Sequence, residues 1–259
     1  TVIFTKKLLE KVSLDKALEV YKARFANPAD FTFFFVGNVN PEDAAFKAQV
    51  CQWLGGLKAN KKKEKVVDHQ VRVPLGKQQN YFTQKMETKT ASNRIQYTSY
   101  SMPYTLANDL NMEMIGRILS TRYLESIRER EGGSYGVGCA GMMDIRPVPC
   151  ARLLMQFDTD PEKQEKLMSI IHEEVNTIVE NGPLAKDLNK EKESMLKDLQ
   201  EDLEKNEYWQ TVLYMNYFYD IDYIADYKSA VEGITAESVQ SMLKKLIASG
   251  NMFEVVMLP

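Results

Sequence analysis

Histidine and cysteine are scarce in this chain. Its 259 residues include two histidines, His69 and His172, and three cysteines, Cys51, Cys139 and Cys150. A catalytic zinc needs three protein ligands and an open position for water. An H-E-x-x-H or H-x-x-E-H pattern would set two of those ligands on one helix face. Only His172-Glu173-Glu174-Val175-Asn176 has that outline, and Asn176 stands where the second histidine belongs. An amide is a poor substitute for imidazole on zinc, so His172 reads as a polar-face or boundary residue and His69 as solvated. No metal ligand is expected in this chain. Three cysteines cannot build a disulfide framework. Cys139 and Cys150 could pair across a hairpin, the alternative being free, buried thiols.

Other absences narrow the function further. No apolar run approaches the roughly 20 residues that a membrane helix requires. Lys plus Arg number 33 against 36 Asp plus Glu, a net charge of −3, so nothing in the balance favours nucleic acid or an anionic membrane. There is no Gly-x-Ser-x-Gly nucleophile turn. The glycines at 132, 133, 136 and 138 form no phosphate loop, because a helix ends there and phosphate binding needs one to begin. The carboxylates fall on amphipathic polar faces without an evident acid/base pair. The chain opens Thr1-Val-Ile-Phe, with no basic-then-apolar leader, and reads as a processed product or an excised piece.

What is present is ordered secondary-structure patterning. Ser13 caps a helix running to about Phe25, and Phe31-Thr-Phe-Phe-Phe-Val36 reads as a buried strand. Asn40-Pro41 opens a second helix with an apolar stripe of Phe46, Val50, Trp53, Leu54 and Leu57. Lys58 to Lys65 holds five lysines and reads as a solvated linker. Strands are expected at Tyr81–Glu87 and Arg94–Tyr100, as an antiparallel pair, and at Tyr135–Met142 and Ala151–Phe157, as another. Helices are expected from Leu106 to Leu119, Arg122 to Glu131, Asp160 to Asn181, Leu184 to Leu203 and Tyr208 to Tyr219. A last helix, Ala236 to Ala248, precedes a strand, Met252 to Leu258. This final capped helix and strand repeats the pattern at Ser13 to Val36, the caps lying 235 − 13 = 222 residues apart. A duplicated unit of about 220 residues would make the first part of the chain the tail of an earlier copy. The fold class is α+β: a mostly antiparallel sheet with helices packed on one face. The aromatic series from Tyr208 to Tyr227 reads as core packing, with a peptide-lining cleft as the alternative.

One segment carries candidate chemistry: Arg122-Tyr-Leu-Glu-Ser-Ile-Arg128-Glu-Arg-Glu-Gly-Gly-Ser-Tyr135-Gly-Val. A charged helix, a Gly-Gly stop and a strand follow one another, so Arg128 and Tyr135 can meet at one edge of a sheet. Arg128 offers five fixed donors for peptide carbonyls or a carboxylate. The Tyr135 hydroxyl could donate to the oxyanion of a tetrahedral intermediate. Local chemistry alone favours a plainer reading, in which Arg128 pairs with Glu125 or Glu131 and Tyr135 is a half-buried strand residue.

Three stretches together shift that balance. Tyr21 to Glu42, Ile115 to Val137 and the closing Glu254-Val-Val-Met-Leu-Pro resemble, in order, segments of the pitrilysin/insulinase family of zinc peptidases. The resemblance implies a metallohydrolase-like domain of that family. Residues 1–57 would be the helix–strand–helix tail of a preceding homologous domain, 58–68 a lysine-rich linker and 69–259 the complete C-terminal domain. It further implies two homologous halves closing like a clamshell on a peptide substrate, with zinc in the N-terminal half of the same or a partner polypeptide. Arg128 would then hold substrate backbone, and Tyr135 would bind substrate and act as a catalytic residue. The zinc motif is missing here, so the chain alone is expected to be inactive. The alternative is a non-catalytic peptide-binding or scaffold subunit of the same fold.

Overall fold

The computed structural model describes residues 5–60, 63–85, 87, 89–130 and 136–259, with the helical backbone alone at 128–130. The chain divides into two compact units, Thr1–Val67 and Asp68–Pro259.

In the first unit, helices α1 (Lys6–Leu9), α2 (Leu14–Arg24) and α3 (Ala44–Val50) are short, and none buries a residue. Ser13 caps α2 as its sequence suggests, its side chain accepting from the Lys16 N–H. The second helix starts later than expected, because Asp43 rather than Asn40 supplies the cap. The strand expected at Phe31–Val36 is absent. These residues run as irregular chain, with Phe33 and Phe35 about half exposed. A strand exists only against a partner, and no described segment of this unit pairs with this one. Its aromatic rings instead form a local chain, Phe31 edge-on to Phe33 and Phe35 edge-on to Phe46.

The second unit is built on five strands: β1 (Lys77–Thr83), β2 (Ala91–Ser99), β3 (Val137–Asp144), β4 (Cys150–Thr159) and β5 (Met252–Leu258). Their order across the sheet is β1-β5-β2-β4-β3. Three of the four pairings are antiparallel and β1 with β5 is parallel. The expected β1–β2 pair therefore does not form, because β5 inserts between the two and hydrogen-bonds to both. The β3–β4 hairpin forms as read. Cys139 pairs with Met155 and Cys150 with Asp144, so the two thiols lie five strand positions apart and both are free.

Helices α4 (Leu106–Tyr123), α5 (Gln164–Asn181), α6 (Ala185–Asp202), α7 (Asn206–Tyr219), α8 (Tyr227–Glu232) and α9 (Ala236–Ala248) complete the unit. Alternation along the strands explains the layering. Ile95, Tyr97, Leu153, Met155, Phe157 and Val256 point into a core shared with α4, α5 and α9. No described element of this unit covers the opposite face, where Phe82, Arg94, Gln156 and Asp158 are exposed. The core reading of the aromatic series holds for Tyr227, with Val212 and Met215 between the rings. Trp209, Tyr214, Tyr217 and Phe218 remain exposed along α7.

Candidate functional site

The helix and strand that flank the Arg128–Tyr135 segment are held unusually close. A Cβ placed on Gly141 of β3 would lie 1.8 Å from the Met112 carbonyl oxygen, and one on Gly116 of α4 2.4 Å from the Gly141 nitrogen. Backbone therefore meets backbone at this seam, which only paired glycines permit. Ser120, one turn further along α4, donates to the Cys139 carbonyl at 3.1 Å. Tyr123 is fully buried and donates to the Ile171 carbonyl at 3.1 Å, tying α4 to α5.

Past Tyr123 the helix continues in wider, π-type turns over Leu124–Arg130. Its root is fixed by ion pairs. Arg122 donates to Glu174 on α5 at 3.0 Å, and also lies 4.0 Å from Asp187 on α6 and 3.5 Å from Glu125. Glu174 and Asp187 are buried, so the guanidinium offsets two desolvated acids. Arg128 has its backbone in this helical extension, while its side chain and all of Tyr135 lie outside the described residues. β3 begins at Val137, two positions after Tyr135. Sequence reasoning named the segment but missed what anchors it. Arg122 was named only as the start of a charged helix, and the glycine at 141 is paired with 116 only by the fold.

A second polar group lies under the sheet. His172 on α5 is 3.1 Å from the Tyr97 hydroxyl through Nδ1 and 2.6 Å from Glu254 Oε2 through Nε2. Glu254 is buried on β5 and also accepts from Gln79, at 2.9 Å, and from the Tyr81 hydroxyl. Hydrogen bonding from His172, followed by Tyr81 and Gln79, holds the Glu254 carboxyl down to about 2 against the opposing effect of burial. The same contact pushes the Tyr81 hydroxyl up to about 12. The expectation that the carboxylates fall on amphipathic polar faces thus fails at Glu254, as it does at Glu174 and Asp187. Glu254 alternates into the core face of a strand, beside Val256, and is stabilised there by three side-chain donors.

Zinc does not fit these residues. Both His172 nitrogens already have partners, His69 is exposed, and no cluster of three potential ligands occurs among the described residues. Burial pushes the Cys139 and Cys150 thiols up, so neither favours a thiolate.

On the open face, a groove of about 640 Å³ crosses all five strands. Phe82, Val255 and Met257 form an apolar side, while Arg94, Gln156 and Asp158 form a polar one. Gly136 and Gly138 end it at the β3 edge, directly after Tyr135 in the chain.

Known structures share this architecture. The crystal structure of the periplasmic protease PqqL from Escherichia coli matches 100% of this chain with a TM-score of 0.78 at 19% identity, the chain covering 28% of that protein. In sequence, a zinc protease PQQL-like protein of Arabidopsis thaliana is 22% identical over 213 residues, which is 78% of this chain and 22% of its own length. A probable zinc protease PqqL of Escherichia coli K12 is 25% identical over 190 residues, 71% of this chain and 19% of the relative. The chain thus spans about a fifth of the curated relatives it matches. The sequence profile of the peptidase M16 inactive domain matches residues 11–195. The chain belongs to the peptidase M16 inactive domain family, and the resemblance read from its motifs is borne out.

Proposed function

We propose that this chain is the substrate-binding C-terminal portion of a zinc metalloendopeptidase that cleaves peptides inside a two-halved chamber. In this reading, residues 1–57 complete a preceding homologous domain, 58–68 link, and 69–259 form the terminal domain. Zinc is held by an N-terminal half of the same or a partner polypeptide. Arg128 holds substrate backbone and Tyr135 donates to the oxyanion of the tetrahedral intermediate.

The observation that carries this reading is the rigid frame around the Arg128–Tyr135 segment in a chain of the M16 family. A glycine-to-glycine seam and a half-buried arginine paired with buried acids fix the helix and the strand on either side. Pre-positioned donors are what transition-state stabilisation requires. The unfitness of His172 for zinc supports a division of labour in which this portion binds and another portion carries the metal. Steady-state hydrolysis of a quenched peptide by the parent polypeptide tests the Arg128 role. Arg128→Ala raises KM about tenfold at unchanged zinc content. An unchanged KM overturns that role and favours a scaffold subunit.

A further inference from the structure

We infer that the groove on the open sheet face selects peptides carrying a carboxylate next to an apolar side chain. Arg94 receives the acid, and Phe82, Val255 and Met257 receive the apolar group. This rests on the peptide-binding function proposed above and adds which peptides the chain prefers.

Arg94 lies on β2, the middle strand of five, and is exposed. Its direct neighbours across the sheet are Val255 on β5 and Gln156 on β4. Neither neutralises a guanidinium, and the Arg94 side chain has no hydrogen bond or ion pair among the described residues. Its whole donor fork is therefore available to a planar carboxylate. The apolar side begins one strand away. Val255 is opposite Arg94, and Met257 is paired with Phe82 on β1. Strands are about 4.8 Å apart, so an acid on Arg94 and a side chain over Val255 and Met257 belong to the same or adjacent residues of a ligand. Toward β3 the wall is low. A Cβ on Gly136 would meet nothing within 4 Å, and one on Gly138 would only touch Gln156 Cγ at 3.4 Å. A peptide backbone can approach the strand there. The volume of about 640 Å³ is in the usual range for a small ligand or a short peptide segment.

The carboxylate could be a peptide C-terminus or a Glu side chain, and the test separates them. Fluorescence anisotropy on the full chain would compare three labelled peptides of otherwise equal sequence. One ends in a free Leu acid, one in Leu amide, and one carries internal Leu-Glu with an amidated end. At least one acid-bearing peptide is expected to bind tenfold or more tightly than the Leu amide, and which one does so identifies the source. Arg94→Gln, an exposed change, abolishes that preference without altering thermal unfolding. Gly138→Val narrows the groove and weakens all three peptides several-fold. Equal binding of acid and amide, a preference surviving Arg94→Gln, or no binding to the chain would each overturn the proposal. Because the readout is binding without turnover, it stands or falls separately from the catalytic role of Tyr135.

Discussion

The chain contains the same local pattern twice, and only one copy becomes a finished structure. Ser13 caps α2 ahead of Phe31–Val36, and Thr235 caps α9 ahead of β5. The second copy is fully used. Val239, Leu243 and Leu246 of α9 are completely buried, and β5 fills the slot between β1 and β2. The first copy has an apolar segment of comparable character at Phe31–Val36, yet Leu14 is 84% exposed and that segment joins no strand ladder among the described residues. Capping and composition produce a helix locally. A strand of the same apolar character needs neighbours on both edges before it is a strand at all.

The comparison can be broken most sharply by charge. Val256→Asp puts a carboxylate at a fully buried position of β5 and is expected to cost about 4 kcal/mol in urea unfolding. Phe33→Asp, in the corresponding segment of the first copy, should stay within about 0.5 kcal/mol in the isolated chain. Equal losses would mean the first copy is packed after all.

The next effect is at the helix root. Arg122→Met leaves Glu174 and Asp187 buried without their cation, and a loss of about 3 kcal/mol is expected. A neutral result would show that the ion cluster does not hold the segment carrying Arg128.

A pH titration addresses β5 alone. The folded Glu254 carboxyl titrates near 2, below its ordinary 4.5. Its stabilisation is therefore complete above about pH 4.5 and lost as pH falls towards 2. Glu254→Gln should flatten that part of the stability profile, followed by circular dichroism in urea. An unchanged acid slope would locate the acid sensitivity elsewhere.

The mildest test is hydrogen exchange. Amides of Met252–Leu258 should be protected and those of residues 31–36 should exchange rapidly in the chain alone. In the parent polypeptide, the proposed preceding domain should protect both.

Much of the fold was legible because it is locally encoded. The boundaries of α9 and β5 follow from Thr235, the Val239–Leu246 stripe and Gly250. The β3–β4 hairpin follows from alternation on either side of Arg146-Pro-Val-Pro149. The sheet order was not legible, since β5 reaches β1 and β2 from about 170 residues away and no local spacing encodes that. The same distance hid the partnership of His172 with Glu254, which are 82 residues apart. Arg128 and Tyr135 were found from their motif. Arg94 was passed over because a single arginine in an alternating strand looks like an ordinary exposed residue until its neighbours are known to be Val255 and Gln156.

The most direct measurement of the central claim is kcat for a quenched peptide with the complete parent polypeptide, wild type against Tyr135→Phe, at verified equal zinc content. Loss of one oxyanion donor predicts a fall of roughly 10- to 1,000-fold in kcat with folding unchanged. Equal kcat at equal zinc would contradict the claim and leave this chain a binding or scaffold domain.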